Sequence, residues 1–389
     1  MRVTFVIETL GVGGAERVMV DMANYWSRNG HSIEILTFWP EGSIPFYRLD
    51  DAVVHSPLSI TRDSHNIIEF VGYNLSRVKA IRHAIIRSAA DVVISFMDRA
   101  NMLAVLGSIG LRIPVVVCER TDPSEHSIGG RGWQLLRRLT YSRAHCVVVQ
   151  TRRALSYFGR AIRQRASVIP NSISFPPEAI RPFSRRGCGH KIVSIGRLVN
   201  PKGFDLLLRA FSGIHSEFPE WSLTIWGEGP ERAALEKLRE TLGLVGCAHF
   251  PGKTQSAFKE IREADLFVFS SRYEGFPNVL LEAMACNLPV ISFDCPSGPS
   301  EIIRDGVDGL LVPPADVSAL GNAMRRLIDN APLRSELAQR AGEVVQRFSR
   351  KAVMGQWEEL IRRVIQSSGK CVSGFKAEDN FKSRVEEPE

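Results

Sequence analysis

The chain has 389 residues, 44% of them apolar, with 49 Lys and Arg against 42 Asp and Glu. That is enough apolar material for more than one core and predicts two domains. No run of about 18 apolar residues occurs, so no spanning helix is predicted. The short apolar run Val3 to Glu8 ends in a carboxylate, unlike a signal peptide. Seven cysteines lie scattered without C-x-x-C spacing, which argues against a zinc site or disulfide framework and fits a reducing cytosol. The basic excess is uneven: residues 1–180 hold 21 basic and 15 acidic side chains, leaving 28 and 27 for the remainder. A positive first half fits a phosphorylated substrate, an anionic membrane surface or nucleic acid, and is also within the ordinary range.

In chain order, Val3 to Glu8 reads as a strand, Gly11-Val12-Gly13-Gly14 as a flexible turn and Ala15 to Arg28 as an amphipathic helix. Gly13 and Gly14 allow close backbone approach to a ligand at a helix start, although the spacing does not match G-x-G-x-x-G. Ser32 to Phe38 predicts a second strand, followed by an irregular stretch from Pro40 to Thr61. Ile67 to Arg87 has helical spacing with Arg77, Arg82 and Arg87 among the apolar positions. Asp91 to Phe96, Pro114 to Cys118 and His145 to Gln150 are short apolar strands, giving a doubly wound α/β pattern. Between the last two, Arg131 to Arg143 interleaves Trp133, Leu and Tyr141 with arginines. Both basic helices fit either a packed element with a solvated side or a surface that meets acidic lipid.

The stretch from Ile173 to Gly189, rich in Pro, Gly and Ser, reads as a linker between domains over 1–172 and 190–348. Strands at His190 to Ile195, Ser222 to Trp226, Asp265 to Phe269 and Val290 to Phe293 alternate with helices from Phe204, Pro230, Ser256 and Asn278. Helices at Ser318 to Asn330, Pro332 to Phe348 and Ala352 to Ile365 follow, the last within a segment 349–366, and the polar composition of 367–389 predicts disorder. Two such α/β units create a cleft between facing strand ends.

Glu274-Gly275-Phe276-Pro277-Asn278-Val279-Leu280-Leu281-Glu282 is the stretch on which chemistry centres. Spacing alone does not single it out, because glutamates eight apart also occur at Glu8 and Glu16 and at Glu220 and Glu228. Context does: an apolar strand precedes it, a Gly-Phe-Pro-Asn turn separates the carboxylates, and a helix start there offers free N–H donors to an anion or to hydroxyls. Arg197 and Lys202 flank another strand-to-helix turn and are close enough in sequence to meet one diphosphate. No Asp-x-Asp occurs to hold a divalent ion, so these cations and the helix starts are expected to serve in its place, with no metal or other cofactor.

The motifs Gly13-Gly14-Ala15-Glu16, Ile169-Pro170-Asn171, Gly196-Arg197-Leu198, Pro201-Lys202-Gly203, Gly227-Glu228-Gly229-Pro230 and Glu274 to Glu282 occur in the order found in family 4 retaining glycosyltransferases of GT-B fold. The resemblance covers about residues 1–366 and is similar in kind to transferases of bacterial polysaccharide and lipid-linked oligosaccharide assembly. It implies two Rossmann-like domains, with a last helix near Trp357 crossing back to the first. It implies that Arg197 and Lys202 bind the nucleotide diphosphate, that Glu282 takes the ribose hydroxyls and Glu274 those of the donor sugar. Gly275, Phe276, Pro277 and Asn278 would line that sugar, with Gly227 and Val279 in the donor site and Gly13 and Gly14 approaching the diphosphate. Where many members carry a His after the fourth strand, this chain has Glu119, which the resemblance places near the reacting carbon; the alternative is an ion pair of Glu119 with Arg120 or Arg99 that only shapes the loop.

The resulting expectation is a retaining transferase that moves a hexose or N-acetylhexosamine from a UDP-sugar to a lipid-linked or polysaccharide acceptor. It would work by front-face displacement on the cytoplasmic face of the inner membrane, with an anionic membrane surface rather than nucleic acid as its macroscopic partner. A GT-B sugar-nucleotide epimerase and a non-catalytic sugar-nucleotide-binding protein are the alternatives, and oligomeric state is left open.

Overall fold

The structure, a computed structural model, describes residues 1–61, 67–124, 131–173, 190–254 and 256–369. Of the expected linker, residues 174–189 lie outside the described residues, as do 370–389 of the expected disordered tail and part of the turn before the second basic helix; Ser367, assigned to that tail, instead ends a helix.

The first half is built on strands β1 (Arg2–Ile7), β2 (Ser32–Thr37), β3 (Val53–Pro57), β4 (Val92–Phe96), β5 (Val115–Cys118), β6 (Cys146–Val149) and β7 (Ala166–Val168). They form one parallel sheet in the order β3-β2-β1-β4-β5-β6-β7. Helices α1 (Gly14–Arg28), α2 (Ile67–Ser88), α3 (Asp98–Gly107), α4 (Arg131–Tyr141), α5 (Arg152–Ser156) and α6 (Arg160–Arg163) make the connections. The second half has β8 (Lys191–Ile195), β9 (Ser222–Trp226), β10 (Ala248–Gly252), β11 (Leu266–Phe269), β12 (Val290–Phe293) and β13 (Leu310–Val312), parallel in the order β10-β9-β8-β11-β12-β13. Its helices are α7 (Phe204–His215), α8 (Arg232–Thr241), α9 (Ala257–Arg262), α10 (Asn278–Ala285), α11 (Pro299–Ile302), α12 (Val317–Asp329), α13 (Ala331–Ala341) and α14 (Val344–Arg347). The central strands are buried throughout and mostly apolar because helices cover both faces of each sheet.

The last helix, α15 (Arg350–Ser367), returns to the first half. Val353, Met354, Trp357, Leu360, Ile361, Val364 and Ile365 repeat at three and four residues, which lines them along one stripe. That stripe packs with Phe5, Trp26 and Phe96 of the first sheet and its helices. Ser349 caps the start by accepting from the Ala352 amide at 3.2 Å. The two chain crossings sit side by side, since the Ile173 amide donates to the Phe348 carbonyl at 2.9 Å.

Several elements differ from the sequence reading. The stretch 40–61 contains β3, and β7, β10 and β13 were likewise without a clear signal. All four are short and lie at the edges of their sheets. β3 and β10 include Pro57 and Pro251, which an edge tolerates because its outer N–H groups need no ladder partner. The single helix expected from Pro332 to Phe348 is interrupted at Gly342, where a Cβ would fall 2.0 Å from the Asn287 Oδ1.

Candidate active site

In both sheets the strand order reverses once, between β1 and β4 and between β8 and β11, and ligands of open parallel sheets bind outside the carboxyl ends of such strands. The sequence motifs fall at these two points. Arg197 follows β8 and is exposed. Lys202 closes the short 3-10 turn after it, and Glu274 follows β11. The Lys202 Nζ and Glu274 Oε1 lie 2.5 Å apart, and the Ser271 hydroxyl donates to the same oxygen at 2.6 Å. Gly203 allows this approach: its φ is +60°, and a Cβ there would stand 2.1 Å from the Ser270 carbonyl oxygen. Gly227 packs backbone to backbone on Gly196 and so supports the same turn.

The first half meets this site directly. Gly275 lies so close to the Arg120 carbonyl that a Cβ would come within 2.3 Å of that oxygen, so only glycine fits. The N-terminus of α1, at Gly13 and Gly14, faces the N-terminus of α10: a Cβ on Gly14 would sit 3.7 Å from the Asn278 Nδ2. Pro277 caps α10, with Phe276 buried and Val279 on its first turn. Two helix starts, each with free N–H groups and a partial positive charge, therefore point into one cleft.

Sequence reasoning overlooked Arg17. Its guanidinium forms an ion pair and hydrogen bond with Glu282 across the cleft. Burial disfavours the Arg17 charge, but the adjacent Glu282 carboxylate outweighs it and holds the pKa above the ordinary guanidinium range. A basic residue on the first turn after Gly13-Gly14 was visible in the sequence. Its partner 265 positions away was not. A second bridge between the halves joins the Ser297 hydroxyl to Asp122 at 2.5 Å, and the Arg152 amide to Glu301 at 2.7 Å.

Glu119, placed near the reacting carbon by the resemblance, turns its side chain into the first half. The carboxylate is 3% exposed and is held by the Tyr141 hydroxyl at 2.6 Å, with Arg137 at 4.0 Å. The cause is the pleat of β5. Val115 and Val117 face α2, α3 and α4, whereas Val116 and Cys118 face α1 and α15, so Glu119 continues on the α4 side and Arg120 on the other. Burial raises the Glu119 pKa from 4.5 to about 7, against the opposing effects of Tyr141 and Arg137. An acid with a raised folded-state pKa favours folding fully only below its unfolded pKa, and that contribution fades as pH rises toward 7. Glu119→Gln should therefore gain on the wild type by about 3 kcal/mol between pH 4 and pH 8, read from urea unfolding at the two pH values. A margin that does not change with pH would contradict this placement.

The basic helices also need correction. Arg137 is 4% exposed, stacked 4.9 Å over the Tyr157 ring and hydrogen bonded to its hydroxyl, so it is not a surface charge. Arg77 donates to the Ile60 carbonyl at 3.0 Å and Arg82 to those of Gly107 and Ile109 at 3.1 and 2.6 Å, so both tie down loops. Arg87, Arg138 and Arg143 remain exposed. Among the described residues no helix is long and apolar enough to cross a membrane.

Two facing parallel α/β halves, with charged side chains and helix starts gathered at both switch points and a last helix crossing back, define the GT-B class. The structure accordingly superposes on HepE of Anabaena in complex with UDP with a TM-score of 0.74, at 20% identity over 93% of this chain and all of that one. Residues 12–175 match the family model described as Glycosyltransferase Family 4, and residues 189–330 that described as Glycosyl transferases group 1. The chain belongs to this glycosyltransferase family. It is 28% identical over 94% of its length to the GalNAc-α-(1→4)-GalNAc-α-(1→3)-diNAcBac-PP-undecaprenol α-1,4-N-acetyl-D-galactosaminyltransferase of Campylobacter jejuni, covering 99% of that protein. It is 31% identical to the exopolysaccharide phosphotransferase of Streptomyces coelicolor, of which it spans 41% of the length.

Proposed function

We propose that the protein transfers a hexose or N-acetylhexosamine from a UDP-sugar, with retention, to a lipid-linked or polysaccharide acceptor in glycan assembly. The observation that carries this reading is the meeting of Lys202–Glu274, Arg17–Glu282 and the starts of α1 and α10 in one cleft. Lys202, Arg197 and the two helix starts supply positive charge where a departing diphosphate needs it. Glu274 accepts from hydroxyls of the donor sugar. Glu282 has lone pairs enough to keep Arg17 and still accept from ribose hydroxyls. In the step itself the bond from the anomeric carbon to the diphosphate oxygen breaks, the acceptor oxygen bonds to that carbon on the same face, and the acceptor proton passes to the departing phosphate oxygen. Among relatives, the Campylobacter enzyme's name specifies a polyprenol-linked glycan, which favours that acceptor class.

The deciding experiment incubates the protein with a panel of UDP-sugars, with and without lipid-linked acceptor and with excess EDTA. Transfer that depends on acceptor and survives EDTA supports the reading. Free sugar released without acceptor indicates an epimerase, binding without turnover indicates a silent sugar-nucleotide binder, and activity lost to EDTA and restored by Mg²⁺ refutes the cation-based account.

An acceptor held on a polyprenyl diphosphate keeps the enzyme at a bilayer, and the face suited to that is the groove of about 780 Å³ between α4 and α6. It is lined by Leu135, Arg138, Leu139, Tyr157 and Arg160, with Leu135 and Leu139 57% and 48% exposed. Anionic liposomes should pellet the protein at low salt and release it as salt rises, and Arg138→Glu with Arg160→Glu should abolish pelleting. Equal pelleting with neutral liposomes would reject this face as an electrostatic docking surface.

A further inference from the structure

Behind the α10 helix start lies a buried polar cluster with no role in the chemistry described so far. Arg120 is 8% exposed, with its guanidinium 3.6 Å over the Phe96 ring and 6.0 Å from that of Trp357. Among the described residues no carboxylate pairs with it, and its Nε has no hydrogen-bond partner. Its directional contacts are a hydrogen bond from Nη1 to the Asn171 Oδ1 at 3.0 Å and a weak one to the Met22 sulfur at 3.9 Å. A buried cation without a counter-charge is costly, so fold stability alone does not account for it. Gln150 donates to the same Asn171 oxygen at 2.7 Å.

These donors decide an orientation. A guanidinium has only N–H groups, so the Asn171 atom that faces it is the oxygen and the Asn171 NH₂ is turned the other way. That NH₂ donates to the Asn278 Oδ1 at 2.7 Å, across the boundary between the halves. The Asn278 amide is thereby set in turn. Its Oδ1 is occupied by Asn171, and its Nδ2 is presented beside Gly14, between the starts of α1 and α10.

We propose that Arg120, Gln150 and Asn171 are positioning residues that turn the Asn278 side-chain NH₂ toward the diphosphate of the donor. This rests on the nucleotide-sugar reading above. Because the relay crosses the boundary, Asn278 is held as a donor only while the halves are together. With the amide reversed, its oxygen would face the diphosphate and repel it.

The test measures UDP binding by calorimetry and, in parallel, kcat and KM for a donor sugar nucleotide. Asn278→Ala removes the donor and should weaken UDP binding several-fold. Asn171→Asp replaces the NH₂ by a second acceptor, so Asn278 turns to donate to it and exposes its own oxygen. Binding should then weaken by more than about tenfold, with kcat falling further than KM rises. The thermal midpoint should not drop, since the introduced carboxylate would pair with Arg120. In the double variant, Asn278→Ala removes the misplaced oxygen, so binding should recover from the Asn171→Asp level to that of Asn278→Ala alone. A protein whose Asn171 is merely structural would show no such recovery. Loss below about threefold in Asn171→Asp, or a double variant worse than either single, overturns the relay. A wild type that binds UDP but transfers no sugar defeats the transferase reading, and the binding comparison still decides the relay.

Discussion

Lys202→Ala should lower kcat by about 10²- to 10³-fold while changing the donor KM by no more than a few-fold. The charge that Lys202 meets grows as the diphosphate leaves, so the interaction is stronger in the transition state than in the bound substrate. The structure adds a second reason. Lys202 is the cation 2.5 Å from Glu274, and without it that carboxylate would face the diphosphate with only Ser271 to hold it. Arg197→Ala should cost less, because Arg197 is exposed and water screens it. Steady-state kinetics on the two variants provide the measurement. A Lys202→Ala enzyme with near-normal kcat and a raised KM would mean that this side chain contributes only ground-state binding.

Trp357→Ala should destabilise the protein by about 3 to 5 kcal/mol and lower its thermal midpoint by about 10 °C. Trp357 is 1% exposed in the core cluster of the first half, although it is carried by a helix that follows the whole second half in sequence. Its removal leaves a cavity in the cluster that also holds Trp26, which is fully buried and donates to Glu358 of the same helix at 3.3 Å. Trp357→Phe should cost distinctly less because it keeps part of the ring. Calorimetric scanning of both variants measures this, and a loss under about 1 kcal/mol for Trp357→Ala would show that α15 does not stabilise the first half.

The alternation of short apolar strands with amphipathic helices carried the doubly wound class, because burial on both sheet faces demands those residue types. The helix start at Asn278 and the turns at Gly203 and Gly275 were legible for the same local reason: helix entry and close backbone approach restrict composition. Weak edges were not legible. β3, with Pro57 and a half-exposed face, carries no periodic pattern to read.

The sequence by itself determined the α/β class, the order of the motifs and the presence of paired charges at strand ends, since each follows from contacts within one strand-turn-helix unit. Only the tertiary structure decided which polar side chains meet. Arg17 finds Glu282 and Asn171 finds Asn278 across the boundary between the halves, through separations of 265 and 107 residues that no local pattern encodes. The same holds for Glu119, which the resemblance places near the reacting carbon, and for Arg137, one of the arginines of the second basic helix. The pleat of β5 and the packing of α4 against it put both inside the first half, because side-chain direction on a strand alternates with every residue and its outcome depends on which layer lies on each face.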